Sequence, residues 1–524
     1  MKKLPISRQT FSELIEENCL YIDKTRDIYN MMNSSGKYFF ISRPRRFGKS
    51  LLVSTLKEIF SGNKELFKGL YIYDKITWDK YPVIHLDFTE LDYRDDKELR
   101  KSLIFFLNKI NNDYKLNIVE EGFKTYFSSV IENLCKNYGQ AVILIDEYDK
   151  PIIDYITDLQ KSSENREVLR EFYSVLKGTD EYIKFVFITG VSKFSKVSIF
   201  SGLNNLIDLT LEEDFNKIMG ITQEELETCF ADYIERLKEK EKGDKNEILD
   251  KIKFWYDGYS WDGITRLYNP FSILNLFNSR KFRNYWFGTG TTTFLIKLIK
   301  NNKYEITNLE NITAGDMVFE SYDIENMDIT SLLFQTGYLS IKKTDEEQRL
   351  YTLSYPNMEV KESFLNYLLS NFINENVSHI RPLYMNLIKY FREEKIEKAI
   401  DIIKSIFAKI PYTLHIPSES YYHSLFYMIL SLMGVKIDID VLSDKGRIDG
   451  LMEFSDKVYL IEFKYEKSGS DMEKILDKAI KQIKDKKYYE RFIGEGKRII
   501  FLGVAFIDKE IGYRKEEKQE NGQR

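Results

Sequence analysis

Two short runs in the N-terminal part carry residue types suited to phosphate chemistry. SRPRRFGKSLL, residues 42–52, lies between an apolar run, KYFFISR, and a stretch with helical spacing, SLLVSTLKEIF. A GxxxxGK(S/T) loop in that setting cradles phosphates with backbone N–H groups at a helix N-terminus. Its Lys reaches the β/γ-phosphates and its Ser/Thr holds Mg2+. Gly48, Lys49 and Ser50 fill the last three places, and Arg43 stands where the first Gly belongs. Alone, GKS also reads as a basic helix N-cap. AVILIDE, 141–147, is the stronger run: it delivers Asp146 and Glu147 to the C-terminal end of a buried strand, where open α/β sheets bind ligands. Asp146 would orient Mg2+ and its waters, and Glu147 would polarise the attacking water. The other reading is an acidic turn. Thr189 and Ser192, in FITGVSKF, end a further strand as polar groups set to sense a γ-phosphate.

A second set of carboxylates lies near the C-terminal end, in GRIDGLMEFSDKVYLIEFKYE, residues 446–466. A two-residue turn at Ser455–Asp456 makes this a hairpin in which Asp449 lies directly opposite Glu462. Arg447, Asp449 and Leu451 then share a face with Val458, Leu460, Glu462 and Lys464. Opposed carboxylates at ~4.5–5.5 Å between Cβ atoms are destabilising unless a proton, a cation or a basic neighbour intervenes. A divalent metal with oxygen ligands fits that gap, and Lys464 is placed to assist. The competing reading is a surface hairpin with an exposed ion network of little worth. Lys474, Lys478, Lys481, Lys484, Lys486, Lys487 and Arg491 follow, with Tyr488 and Tyr489 among them. They read either as a polyanion surface or as a solvated face.

These residues need elements to hold them. KYFFISR, PVIHLDF (82–88), AVILIDE and YIKFVFITG (182–190) alternate with amphipathic stretches, which indicates a mostly parallel sheet covered on both faces. From about 222 the texture turns helical, opening on a capping-box pattern from Thr222 to Glu225. An aromatic region with glycine turns covers 255–345, helical spacing runs from about 358 to 410, and PYTLHIPSES reads as a linker. The pattern then becomes helix, hairpin, helix, strand. The pattern gives an α/β fold with a mostly parallel sheet over 1–215, a helical middle over 216–410, a further α/β domain over 411–510 and a polar tail over 511–524.

At 524 residues the chain exceeds one compact core, which stops growing at roughly 250–300 residues. Its 43% hydrophobic and 30% charged residues exclude a disordered or collagen-like chain. No apolar run approaches a membrane span, and the N-terminus lacks a signal-peptide core, so a soluble cytoplasmic protein without a membrane partner is expected. Three scattered cysteines without a CxxC pair argue against a disulfide framework or zinc site. The net charge of −5 removes any argument from a globally basic chain, so a nucleic-acid surface would be local.

YIDKT (21–25), SRPRRFGKSLL, VILIDEYDKP (142–151) and ITGVSKFS (188–195) resemble the AAA-ATPase-like family of bacterial and archaeal proteins, often found with a C-terminal nuclease-like domain. WYDGYSW (255–261), YNPFSI (268–273), FQTGYLS (334–340) and YPNMEV (355–360) resemble its middle region. The arginine-bearing loop is that family's own variant. The x-D…E-x-K pattern resembles the PD-(D/E)XK nuclease core, with Asp449, Glu462 and Lys464 on its positions. The resemblance implies a P-loop NTPase parallel sheet over 1–215, a helical and winged-helix-like middle over 216–410 and a restriction-endonuclease-like α/β domain over 411–510. The resemblance adds Glu419, opening the preceding helix, and Gln482 in the following one, while His423 is expected to pack. It implies ATP and Mg2+ as cofactors: Arg46, Gly48, Lys49, Ser50, Asp146 and Thr189 at the nucleotide, with Glu147 catalytic. Asp449 and Glu462 would hold a second metal, with Lys464 and Glu419 assisting. Arg45 and Arg46 are placed to act in cis, although AAA-type rings take an arginine from a neighbour, so an oligomer stays open. The function implied is ATP hydrolysis coupled to a Mg-dependent nuclease on DNA or RNA. The alternatives are a nucleotide-driven switch whose nuclease-like domain binds nucleic acid or protein without cleaving, and an ATPase serving another conformational task.

Overall fold

The computed structural model describes residues 1–193, 200, 203, 205–287, 295, 299, 309–319, 328–409, 419–433, 436–438, 441–443, 446–467, 469–507 and 510–518. The side chains of 419–421, 423–424, 436–438, 441–443 and 446–448 are outside this description. The chain divides into two units, residues 1–295 with 310–361, and 296–309 with 362–524. This differs from the three-part expectation with boundaries at 215 and 410. Most of the aromatic middle belongs with the first unit, and the helices after 361 belong with the second.

The first unit is built on β1 (Tyr38–Ser42), β2 (Val83–Asp87), β3 (Ala141–Asp146), β4 (Ile183–Gly190) and the short β5 (Ile207–Asp208). Every pairing is parallel and the order is β2-β3-β4-β1-β5. β1 and β3 are buried along their whole length, which is why they read as unbroken apolar runs. The register aligns the strand exits: Asp87 pairs with Asp146, Ile41 with Thr189 and Ser42 with Gly190. The chemistry-bearing residues thus share one edge of the sheet. Thr222 and Glu225 do form a reciprocal capping box, at the start of the Gln223–Cys229 helix.

The aromatic region supplies a winged-helix-like arrangement within the same unit. The Pro270–Ser279 helix is followed by β6 (Ile312–Gly315), a 3-10 turn at Asp316–Phe319 and the Ile329–Gln335 helix. A wing of β7 (Ser340–Asp345) and β8 (Leu350–Ser354) then closes an antiparallel sheet of order β6-β8-β7.

In the second unit, helices Val377–Arg392 and Ile396–Ala408 precede the Glu419–Leu432 helix. The expected linker at 411–420 falls almost wholly outside the described residues. Strands follow as β9 (Lys436–Asp438), β10 (Val441–Ser443), β11 (Gly446–Ile448), β12 (Gly450–Glu453), β13 (Lys457–Glu466), β14 (Arg498–Ile507) and β15 (Glu510–Glu517). The main sheet runs β15-β14-β13-β12-β9, with β13 and β14 parallel and the other pairings antiparallel. β15 corrects the expectation of a polar tail from 511. Residues to Glu517 are held by the edge of β14, where Arg498 bonds the Glu517 carboxylate at 2.7 and 2.8 Å. A polar sequence was legible there; its pairing with a buried neighbour was not.

Candidate nucleotide and metal sites

At the edge of the first sheet, β1 runs into the loop 43–48, and Gly48 caps the Lys49–Phe60 helix with φ +99°, a conformation that favours glycine. Lys49 is buried, and its ammonium donates to the carbonyls of Arg43 and Pro44 at 3.1 and 3.3 Å. It also stands 3.3 Å from the Glu147 carboxylate. Asp146 is buried at the end of β3 and accepts from the Thr189 hydroxyl at 2.5 Å, the Ser50 hydroxyl and the Glu147 N–H at 3.0 Å. Burial, then the neighbouring Glu147, raises the Asp146 pKa, and the two hydroxyls and Lys49 oppose that shift. Glu147 has φ +53°, a left-handed conformation that costs a non-glycine residue about 1–3 kcal/mol and that clusters at functional sites. Lys49, Ser50, Asp146, Glu147 and Thr189 are therefore brought together at the strand exits.

Gly48, Lys49, Ser50 and Glu147 line a cleft of about 540 Å³ with Arg45, Arg46, Asp87, Lys150, Phe271 and Trp286. Arg46 reaches the cleft wall, yet its Nη1 donates to the Tyr285 and Trp286 carbonyls, both at 3.1 Å. Arg43 takes no part in the cleft. It is fully buried, donates to the Ser42 and Thr210 carbonyls at 2.9 Å, and lies 4.0 Å over the Trp261 ring. Burial pulls its pKa down to about 9.

Ser192 departs from its expected role. Its N–H and hydroxyl both go to Asp149 Oδ2, each at 2.7 Å, and the Val191 N–H joins them at 3.0 Å. Asp149, missed in the sequence although it lies in DEYDKP, thus ties the exit of β3 to that of β4. It is wholly buried, its Oδ1 has no hydrogen-bond partner, and burial followed by Glu147 pushes its pKa up to about 6. Phe271, Trp286 and Glu359 were also missed. Among the ionisable motifs nothing marks an aromatic residue as a cleft wall or a lone Glu as buried.

In the second unit the hairpin register is the one the turn predicts. Gly450 pairs with Ile461, Leu451 with Leu460 and Glu453 with Val458, which sets Asp449 against Glu462. It is not a surface hairpin. β13 is flanked by β14, and Leu451, Val458 and Leu460 pack against Ile480 and Ile483 of the Met472–Asp485 helix. On the opposite face Phe463 meets Phe426 at 4.1 Å between ring centroids. The Glu462 side chain is 1% exposed. Its Oε1 accepts from Lys464 at 3.1 Å and from Gln482, while Oε2 accepts from no donor, and the facing Asp449 carboxyl bonds Glu462 only when the pair keeps a proton. Asp449 Oδ2 accepts the Phe463 N–H at 2.8 Å. Burial, then the Asp449 charge, raises the Glu462 pKa far above the carboxylate range, and Lys464 only partly offsets this.

Two facing carboxylates, one with a buried unpartnered oxygen, form a donor set that fits a hard divalent cation. Among the described residues, no cluster of three or more His, Cys, Asp or Glu is placed to hold a metal. The side chains of Glu419 and His423 lie outside the described residues, so the expected third acid is not placed. Cations near the following helix stand by carboxylates: Lys474 by Asp471, Lys478 by Glu466, Lys484 by Glu516 and Lys487 by Glu490. That balance favours the solvated-face reading of the basic stretch. Among the described residues, no helix is long and apolar enough to cross a membrane.

Comparison with known proteins places these sites in context. Residues 5–200 match the family described as predicted AAA-ATPase, and residues 417–516 match the PD-(D/E)XK nuclease superfamily. An uncharacterized protein encoded in the vnfD 5' region of Azotobacter chroococcum mcd 1 is 35% identical over 515 residues, 96% of each chain. Among solved structures, the Aeropyrum pernix ORC1 protein in complex with DNA aligns with 68% of this chain and 96% of that one. At 10% identity and a TM-score of 0.24, that likeness is too loose to carry an argument.

Proposed function

The chain belongs to the AAA-ATPase-like family and carries a C-terminal PD-(D/E)XK nuclease superfamily domain, and from that membership we propose that it binds and hydrolyses ATP and uses a Mg-dependent site to cleave DNA or RNA phosphodiesters in the cytoplasm. At the nucleotide, backbone N–H groups at the start of the Lys49–Phe60 helix and the Lys49 ammonium take the phosphates, releasing Lys49 from Glu147. Ser50 and Asp146 are the residues to hold Mg2+, and Glu147 orients the attacking water. At the second site Asp449 and Glu462 would hold Mg2+, which supplies Lewis acidity and lowers the pKa of water. Lys464 offsets charge developing on the phosphate, and Gln482 holds the Glu462 carboxylate in place.

The observation that carries this reading is the buried Glu462 carboxylate facing Asp449 with one oxygen unpartnered. A fold stabilised only by its ion pairs has no use for such an arrangement. The test incubates the purified chain with Mg2+, ATP and a panel of single- and double-stranded DNA and RNA, beside Lys49→Ala and Lys464→Ala. Cleavage lost in Lys464→Ala and ATP binding lost in Lys49→Ala are expected. Tight nucleic-acid binding with no cleavage under any metal would replace the nuclease by a binding switch.

A further inference from the structure

The phosphate loop lacks the first glycine of its pattern, and the residues that brace it come from 167 or more positions along the chain. At its start Arg43 is pinned by the Thr210 carbonyl and the Trp261 ring. Phe47 meets Tyr259 and Trp261 edge-on, each at 5.2 Å between centroids. Gly337, with φ +86°, approaches so closely that a Cβ there would lie 2.6 Å from the Pro44 ring. Trp286 donates its indole N–H to the Arg45 carbonyl at 3.1 Å. Two aromatic motifs of the middle region, WYDGYSW and FQTGYLS, thus meet the loop directly, together with Trp286.

One link in this brace has a directional chemistry. Glu359 is wholly buried in the first turn of the Met358–Phe372 helix. Its Oε1 accepts the N–H groups of Tyr285 and Trp286, the latter at 2.8 Å, and its Oε2 accepts the Ser272 hydroxyl at 2.7 Å. All three donors are neutral. The Trp286 N–H belongs to the same peptide group as the Tyr285 carbonyl, which accepts Arg46 Nη1. Anion, peptide dipole and cation therefore stand in series, N–H toward the carboxylate and C=O toward the guanidinium. Each charge polarises the shared peptide and strengthens the bond at its other end. Arg46 lies within the loop, two residues before Gly48, at φ +64°, with its guanidinium 4.2 Å over the Phe271 ring.

We propose that Glu359 is a positioning residue of the nucleotide site, acting through the Tyr285–Trp286 peptide on Arg46 and thereby on the phosphate-facing backbone of the loop. The proposal rests on the ATP-binding reading above. It assigns to YPNMEV and YNPFSI a role that their distance in sequence from the loop conceals. It also explains how a loop without its first glycine keeps a defined shape, since bracing from outside replaces tight turning from within.

A double-mutant cycle read by calorimetry with MgATP tests it on the full chain. The proteins are wild type, Glu359→Gln, Arg46→Met and the pair together, with nucleotide-free melting recorded for each. Gln keeps the shape and an acceptor oxygen for both N–H groups while removing the charge. Glu359→Gln should weaken MgATP binding about tenfold in the wild-type background and less than twofold once Arg46 is Met. A merely structural Glu359 gives the same loss in both backgrounds, and that result, or no loss in either, overturns the proposal. If Glu359→Gln does not fold, Glu359→Asp, which draws the carboxylate back from the Tyr285–Trp286 peptide, takes its place in the cycle, with the same two outcomes deciding. Failure of the wild type to bind MgATP would remove the ATP reading and this proposal together. Normal wild-type binding with an additive cycle removes the proposal alone.

Discussion

Asp449 and Glu462 give the sharpest test of the metal reading, because their protonation and their metal binding compete. Burial and the facing Asp449 charge raise the Glu462 pKa, so the metal-free pair keeps a proton at neutral pH. A raised carboxyl pKa contributes stability that is present below the unfolded value and lost as pH rises through the folded one. The metal-free chain should therefore become less stable with rising pH, by at most about 1.4 kcal/mol per pH unit from this one group. A divalent cation must displace that proton. Its apparent affinity should rise about tenfold per pH unit below the folded pKa, a 100-fold gain over two units, or ~2.7 kcal/mol. For a domain of this size that is roughly 5–10 °C in Tm. The assay is thermal melting of the full chain at fixed Mg2+ across pH 6–8, for wild type and Asp449→Asn. The wild-type Mg2+ shift should grow with pH across this range. The variant, lacking one ligand and the charge that raises Glu462, should show little shift at any pH. A wild-type shift that is absent, or present but independent of pH, refutes the reasoning. A purely structural ion network predicts no Mg2+ response and a less stable variant.

Three further outcomes are expected. Asp149 is held well above its ordinary value, at about 6, so its share of stability should fall as pH rises from 4 through 6. Chemical denaturation should show wild type losing up to about 3 kcal/mol more than Asp149→Asn over that range. Glu394 accepts from Lys457, Arg498 and Lys515, and the hydrogen bonds from Arg498 and Lys515 lead in holding its pKa down to about 2. Glu394→Gln should cost about 1–2 kcal/mol at pH 7, with the difference from wild type vanishing as pH falls from the ordinary Glu range toward 2. If the two sites are coupled, saturating nucleic acid should change MgATP affinity by the factor by which ATP changes nucleic-acid affinity; identical ATP affinity in both conditions would leave two independent modules.

What the sequence made legible follows from the range of the forces involved. β1, β3 and most of β4 announced themselves because burial on both faces demands continuous apolar runs, and the hairpin register followed from one turn and a period of two. Lys49, Ser50, Asp146 and Glu147 could be singled out because each lies at, or one loop beyond, the end of such a strand. Asp149 was missed and Ser192 misread for the opposite reason. Their roles depend on which exit lies beside which, and parallel neighbours are set by crossovers that no local pattern records. β15 escaped because an edge strand with one solvent-facing side tolerates the same Lys- and Glu-rich composition as a fraying tail.

The aromatic middle shows a different limit. Its tyrosines, tryptophans and phenylalanines read as core filler by composition, and many are. Yet Trp261 lies under Arg43, Phe271 under Arg46, and Trp286 holds the Arg45 carbonyl, so three aromatic residues attend the three arginines of one loop. An arginine in place of a glycine brings a long side chain with a permanent charge into a buried turn. It can remain there only if carbonyls and ring faces are supplied from elsewhere. The substitution at 43 and the aromatic motifs after 255 are therefore two halves of one solution. Replacing Arg43 by the glycine of the general pattern should not restore an ordinary loop. It would leave the Trp261 face and the Thr210 carbonyl without their partner, and the chain should lose stability even where nucleotide binding survives.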